Sequence, residues 1–391
     1  MTGTGVSVSG GRLSIWAFCL LVIGGALLGT AGPVRADEMA VVFDRLMLNP
    51  SDPSLNMRYA ELAVGRGEPR KALAAYERVL ASHPGHPEVL RAYKRLKHGL
   101  QPAVTEVTVE TGVSYATNPR QAPDGSPYKE DDVTFDATLA LFDERAIGSR
   151  RWRTHAFGRA QIQGDLEEIS DVVGTVVTGP VFDLGKDTRL HVAPGVGGGW
   201  VDDDWLYRDL LVRFTLEKLF NGITQSLAVT VSDRDVNSDF NGSDGLLAEI
   251  SGRWLFSDTL RKGDALFFLP RVVISRSDGD GPGRVFRNDI YVGNFVETGA
   301  RAVYYTRVAD GRAWLGGGLG VYWRDYDQNV ANAINDREDV LIEPTAHLLI
   351  PGIFDSKFDF RIDYRFEHND SNDPTEDFDN HVFGIRTVRK F

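Results

Sequence analysis

Arg361, Asp363, Arg365 and Glu367 stand at alternate positions, and a strand would carry all four on one face. Such a row is either a conduction or translocation surface or an ion-pair ladder that fills a polar interior. His155, His191 and His347 lie in separate segments, and acid–base chemistry would need them to converge with a carboxylate. The run Asp233-x-Asp235-x-Asn237-x-Asp239 spaces oxygen ligands as a calcium loop does. It lacks the glutamate that closes an EF-hand, and Gly242 comes too late, so it reads as a solvated acidic loop. Gly195-Val196-Gly197-Gly198-Gly199 and Gly316-Gly317-Gly318 resemble phosphate loops only superficially, since neither lies between a strand and a helix. The chain has no His-Glu-x-x-His, P-loop or Gly-x-Ser-x-Gly elbow. The expectation is a protein that is not an enzyme, with no catalytic residue, cofactor or metal.

The elements that would position the charged row are strands. Across residues 357–367 every even position from Phe358 to Phe366 is apolar or aromatic, and every odd position is charged. A soluble sandwich can produce that pattern with its polar face in water, and a transmembrane barrel can produce it with lipid outside and a polar lumen inside. About fourteen candidate strands follow one another, near 103–116, 131–143, 151–164, 169–182, 187–200, 206–219, 223–235, 244–257, 264–277, 286–306, 311–325, 337–350, 356–368 and 379–391. An even count in this range suits a bacterial barrel.

The connections decide between the two. Odd-numbered ones include 117–130, 233–243, 278–283, 326–338 and 369–379; several are long, and most are rich in Asp, Asn, Ser and Gly. Even-numbered ones include Leu184-Gly185-Lys186, Asn221-Gly222, Ala309-Asp310-Gly311 and Pro351-Gly352, mostly tight hairpin chemistry, with longer ones near 144–150 and 258–263. Long loops at one end and short turns at the other are the barrel rule, which a sandwich has no reason to obey. Trp152, Trp200, Trp205, Trp254, Trp314 and Trp323 fall near strand ends, where interfacial aromatic girdles sit. The chain carries −12, and residues 101–391 carry −16, the wrong sign for nucleic acid. Acidic outer loops suit divalent-cation bridging among surface lipopolysaccharides. The expected fold is an all-β transmembrane barrel of about fourteen antiparallel strands over residues 101–391, preceded by a small helical module.

Residues 1–36 read as a secretory signal: Arg12, an apolar stretch over 13–28, and Val34-Arg35-Ala36 before Asp37. The single cysteine, Cys19, would leave with it. Residues 37–100 carry Ala and Leu at helical spacing, and Tyr59-Ala60 … Gly67 … Ala72-x-x-x-Tyr76-x-x-Val79 … Pro84 follows the tetratricopeptide consensus. Tyr59 and Tyr76 are the candidate client-binding residues of this module; a plain helical spacer would produce the same hairpin. At the other end, Phe391 supplies the terminal aromatic residue by which barrel-assembly machinery recognises outer-membrane strands.

A signal peptide, a tetratricopeptide module and a barrel ending in Phe together resemble the surface lipoprotein assembly modifiers. The local motif is Tyr115-Ala116-Thr117-Asn118-Pro119-Arg120-Gln121-Ala122-Pro123, similar to a Tyr-x-x-Asn-x-Asn-x-Ala-Pro pattern at the start of that family's barrel, with Arg120 where Asn is expected. The helical module is smaller than in family members. The resemblance implies an outer-membrane protein with its module in the periplasm, assisting delivery of a lipoprotein or similar secreted polypeptide to the surface. A polysaccharide-export or diffusion porin with a periplasmic scaffold is the alternative. The implied partners are the client, outer-membrane lipids and the barrel-assembly machinery.

Overall fold

The computed structural model describes residues 36–100, 102–148, 150–185, 187–220, 223–237, 244–277, 294–329, 336–353 and 357–391. The segment expected to be a secretory signal, residues 1–36, lies outside the described residues except for Ala36, which opens the first helix. Two compact units divide at Leu90 and Arg91, a boundary that falls inside the fourth helix.

Four helices come first: α1 (Ala36–Leu48), α2 (Pro53–Gly65), α3 (Pro69–Ser82) and α4 (Pro87–Leu100). Proline opens α2, α3 and α4, where its missing N–H costs no helical bond. Asp52 caps α2 by accepting the Leu55 N–H at 3.0 Å. Ala60 and Ala63 of α2 and Ala72, Ala75 and Val79 of α3 are fully buried, and their small side chains let the paired helices approach closely. Buried Asn56 is satisfied: its Nδ2 donates to the carbonyls of Pro50 and Asp52, and its Oδ1 accepts from Arg78 at 3.0 Å.

Fourteen strands follow: β1 (Val104–Ala116), β2 (Asp132–Ile147), β3 (Arg150–Gln163), β4 (Asp171–Asp183), β5 (Thr188–Val201), β6 (Asp204–Phe220), β7 (Ile223–Val236), β8 (Gly245–Ser257), β9 (Ala265–Ser277), β10 (Phe295–Val308), β11 (Ala313–Asn329), β12 (Asp336–Ile350), β13 (Phe358–Ser371) and β14 (Phe378–Lys390). Each pairs antiparallel with its neighbours, and β1 pairs with β14 from Thr108↔Lys390 to Ala116↔Val382, so the sheet closes on itself. Closure leaves no unpaired edge, the condition a sheet must meet to cross lipid.

Outward positions are apolar around the ring, including Phe135, Phe157, Val196, Phe214, Ile250 and Ile385, all exposed. An exposed apolar surface of that extent belongs against lipid, not water. No helix among the described residues is long and apolar enough to cross a membrane. Inward positions are polar, with small apolar clusters such as Val177, Ala193 and Leu211.

The strands overrun the sequence reading at both ends. β2 runs to Ile147 and β3 starts at Arg150, so their connection is shorter than the one expected near 144–150, because Glu144 to Ile147 keep their ladder with Arg150 to Arg153. At the opposite end β11 continues to Asn329 and β13 to Ser371, so those loops are shorter than their acidic composition suggests. The β5–β6 connection is only Asp202-Asp203, both at positive φ (48° and 64°), the geometry of a tight hairpin turn. The first part of the stretch expected at 286–306 lies outside the described residues. The β1–β2 loop at 117–131 is long, but the β12–β13 connection, 351–357, is no shorter than the β13–β14 connection, 372–377, so the length contrast between the two ends is partial.

Candidate functional site

The barrel interior is where ionisable side chains gather, because period-two strands deliver every second residue there. Arg361 donates to Asp363 at 2.8 Å and to Glu110 of β1 at 2.6 Å. Arg386 of β14 donates to the same Asp363 oxygen at 2.9 Å, and His347 of β12 meets its other oxygen at 2.7 Å. Arg365 pairs with Glu367 at 2.9 Å, and Glu367 also accepts from Asn380 at 2.8 Å. Arg361 and Asp363 therefore belong to one network with β1, β12 and β14, while Arg365 and Glu367 form a second with β14. All four side chains of that row are ion-paired.

Three more networks use residues that the sequence reading did not single out. Near the turn end Glu144 accepts from Arg151, Arg153 and Arg189. Glu217 accepts two bonds from Arg153, at 2.7 and 3.0 Å, and one from Arg189. These contacts join β3 to β6 and β2 to β5, strands that are not neighbours in the sheet. Near the loop end fully buried Glu297 takes Arg271 and Arg324, while Arg337 joins Asp339 at 2.9 Å and Glu376 at 3.1 Å. Arg234 forks onto Asp209 with two 2.8 Å bonds and lies over the Tyr207 ring. The same alternation test that picked β13 applies to these strands; shorter or mixed runs such as Arg151-x-Arg153 hid them.

Glycine makes room for aromatic rings inside the wall. A Cβ on Gly316 would lie 2.5 Å from the Tyr305 ring, and one on Gly299 would lie 2.4 Å from that of Tyr322. The Gly316 run thus serves close packing, and Tyr305 stacks on His347 with ring centres 5.8 Å apart. His155 and His191 do meet, at 5.7 Å between rings, but His347 belongs to the Asp363 network of β13. Asp233 and Asp235 lie exposed on β7, whereas Asn237 is buried and donates to the Trp205 carbonyl at 2.8 Å; Asp239 lies outside the described residues. No group of three potential metal-ligating side chains occurs among the described residues.

The segment at 115–123 is a built loop. Asn118 is fully buried: its backbone N–H donates to Asn380, its Nδ2 to the Ala122 carbonyl at 2.8 Å, and its Oδ1 accepts the Ala122 N–H at 2.9 Å. Tyr115 donates to Asp131 at 2.9 Å, the Pro123 carbonyl accepts from Ser126, and Arg120 pairs with Glu130 and Glu168. Phe391 is exposed, with its N–H on the Val107 carbonyl at 2.9 Å.

Tyr59 and Tyr76 are buried in the helical unit, where Tyr59 packs on Phe43 at 5.7 Å. Neither ring faces solvent in this arrangement. The exposed apolar side chains nearby are Phe43, Met47 and Leu48 of α1.

Comparison with known proteins gives three findings. A tetratricopeptide repeat family matches residues 53–96, which span α2, α3 and most of α4. No curated protein sequence matches the chain. Among solved structures the chain is similar to the outer membrane channel DcaP of Acinetobacter baumannii, at 10% identity and TM-score 0.43, covering 74% of this chain and 97% of that one. It is also similar to an outer membrane channel of Pseudomonas putida, at 14% identity and TM-score 0.39, with 75% and 98% covered. CdiB of Acinetobacter baumannii aligns at 8% identity and TM-score 0.43, with 73% of this chain and 60% of that one covered. These are likenesses of form, and no solute, client or residue role is transferred from them. The protein is a closed fourteen-strand β-barrel preceded by four helices that include a tetratricopeptide repeat.

Proposed function

We propose that this protein acts in transport at the bacterial outer membrane, assisting delivery of a lipoprotein or similar secreted polypeptide to the surface. The observation that carries the reading is the joining of a tetratricopeptide repeat, a type that binds peptides on its helical faces, to a closed barrel in one chain. The helical module lies in the periplasm and engages the client; the exposed face of α1 makes the contact, with Tyr59 supporting Phe43 from beneath and Tyr76 holding the hairpin. Phe391 is the signal to the assembly machinery. The motif at 115–123 supports the reading through the loop that Asn118 holds together. With no ATP in the periplasm, the work of delivery comes from client folding and from binding differences across the membrane.

One feature favours a second reading as a solute channel. Ion pairs between non-neighbouring strands occupy the interior, and a cavity beside Arg301 and Arg365 measures about 240 Å³, a small-solute size. Deleting the gene and comparing surface lipoproteins by protease shaving and mass spectrometry separates the two. Delivery should fail in the deletion and in a chain lacking residues 37–100 whose barrel still inserts. An unchanged surface lipoprotein set with altered small-solute uptake or lost exopolysaccharide would replace the first reading with the second.

A further inference from the structure

The −12 charge of the chain forecasts a lumen that favours cations. The side chains are arranged the other way. Arg159 of β3, Arg271 of β9, Arg301 of β10, Arg365 of β13 and Arg386 of β14 line one cavity of about 240 Å³ inside the barrel. They reach it from three separate arcs of the ring, with β3 lying seven strands from β10 in the closed order. Each is held by a carboxylate: Arg159 by Asp171, Arg271 by Glu297, Arg301 by Glu343, Arg365 by Glu367 and Arg386 by Asp363.

The exposures of the partners are unequal in one consistent direction. Arg365 is 43% exposed against 4% for Glu367, Arg301 30% against 7% for Glu343, and Arg271 28% against 0% for Glu297. Asp171, Glu297 and Asp363 sit behind their arginines, whereas Glu343 and Glu367 line the cavity beside theirs, each less exposed than its partner, so five arginines and two glutamates meet the cavity. Arginines outnumber acids on the lining, and the carboxylates fix each arginine in place and offset the repulsion among them. Pre-set guanidinium forks match the planar oxygens of carboxylate and phosphate, and the half-enclosed setting strengthens such contacts over bulk water. Tyr322 adds an aromatic wall from β11. The volume falls below the ~300–1,000 Å³ of sites for drug-sized ligands, so the occupant is small.

We propose that this cavity is a binding site for a small solute carrying more than one oxyanionic group, carboxylate or phosphate. The site stands on the lumen geometry alone and is independent of the client that the helical module engages.

Titration calorimetry on the folded full-length protein in zwitterionic detergent at low salt tests it, with citrate and pyrophosphate as the two probes. Saturable binding of at least one is expected, and the preferred probe distinguishes carboxylate from phosphate chemistry. Arg301→Gln and Arg365→Gln should each weaken binding about tenfold, the loss of a charge-assisted hydrogen bond. Arg276→Gln should leave it unchanged, because Arg276 pairs with Asp327 on exposed surface and does not line the cavity. Should Arg301→Gln misfold by stranding Glu343, the double change with Glu343→Gln removes both charges and serves in its place. Absence of saturable heat with both probes, or binding that these substitutions leave intact, overturns the proposal.

Discussion

At the scale of single residues the barrel depends on charges that are buried and paired. Glu297 holds Arg271 and Arg324 together with no exposure to solvent. Glu297→Gln would leave two guanidiniums facing each other across a neutral amide, and loss of one partner from a buried ion pair costs about 3–5 kcal/mol. The expected outcome is a lower urea midpoint for the folded, heat-modifiable form in detergent. Asp264 makes a different case, in the turn outside the strands. Burial pushes its carboxyl up, but the N–H groups of Arg261, Leu260 and Thr259 and the Tyr304 hydroxyl outweigh burial and hold it below the usual carboxylate range. A carboxyl depressed on folding contributes stability that is fully present above its unfolded pKa of about 4 and is lost as pH falls through the lower folded value. Amide exchange at residues 259–261, measured against the intrinsic rate at each pH, should therefore stay slow from neutrality down to about pH 4 and quicken below it. In Asp264→Asn it should be fast already at neutral pH.

At the scale of elements the loop after β1 is the part whose geometry depends on one side chain. Asn118→Ala removes an acceptor for Ala122 and a donor to the Ala122 and Asp379 carbonyls. Leaving buried backbone groups unmet costs about 1–3 kcal/mol, enough to free the loop while the ladder of β1 with β14 persists. Hydrogen exchange should rise over 117–123 and stay unchanged in β14. The strands themselves were legible in the amino-acid pattern, because lipid outside and polar lumen inside impose strict alternation on runs such as 357–367. Their ends were not. Asp, Asn and Gln around 326–329 and 369–371 have loop composition, yet they stay in the strands, because strands of 13 to 17 residues outreach the ~9–11 needed to cross the bilayer. Composition reports the solvent, and in the watery part of a strand it no longer reports the hydrogen bonding. The lumen network was legible only in β13. A partnership such as Arg153 with Glu217 depends on which strands face each other across the ring and how far each side chain reaches, and no local spacing encodes either. The buried tyrosines were misplaced for a related reason: a ring at helical spacing suits a binding face and a helix–helix core equally well, and only the packing of α2 on α3 decides.

At the scale of the whole molecule, one parity argument ties strand count, direction and location together. Fourteen antiparallel strands return the chain to the end at which it entered, so Phe391 and the start of β1 lie at the same end of the barrel. The loops after β1, β3, β7 and β13 then share the opposite end with the acidic Asp202-Asp203 turn, while the turns containing Gly148, Gly263 and Gly352 lie at the end of the termini. If the helical module is periplasmic, the loop end faces outward, and epitope tags report it directly. A tag inserted at Gly125, at positive φ in the long β1–β2 loop, or at Asn372, in the β13–β14 connection, should be labelled on intact cells. A tag at Gly352, also at positive φ, in the β12–β13 connection, should be labelled only after the outer membrane is opened. Each insertion spares the ladder, so the folded gel mobility of the variants verifies that the barrel has closed. Labelling of Gly352 alone on intact cells would invert the barrel and place the helical module outside, ending its proposed meeting with a client in the periplasm. Labelling of Gly125 without Asn372 would contradict a β-strand path that crosses the membrane an even number of times between them, and with it the antiparallel order from β2 to β13.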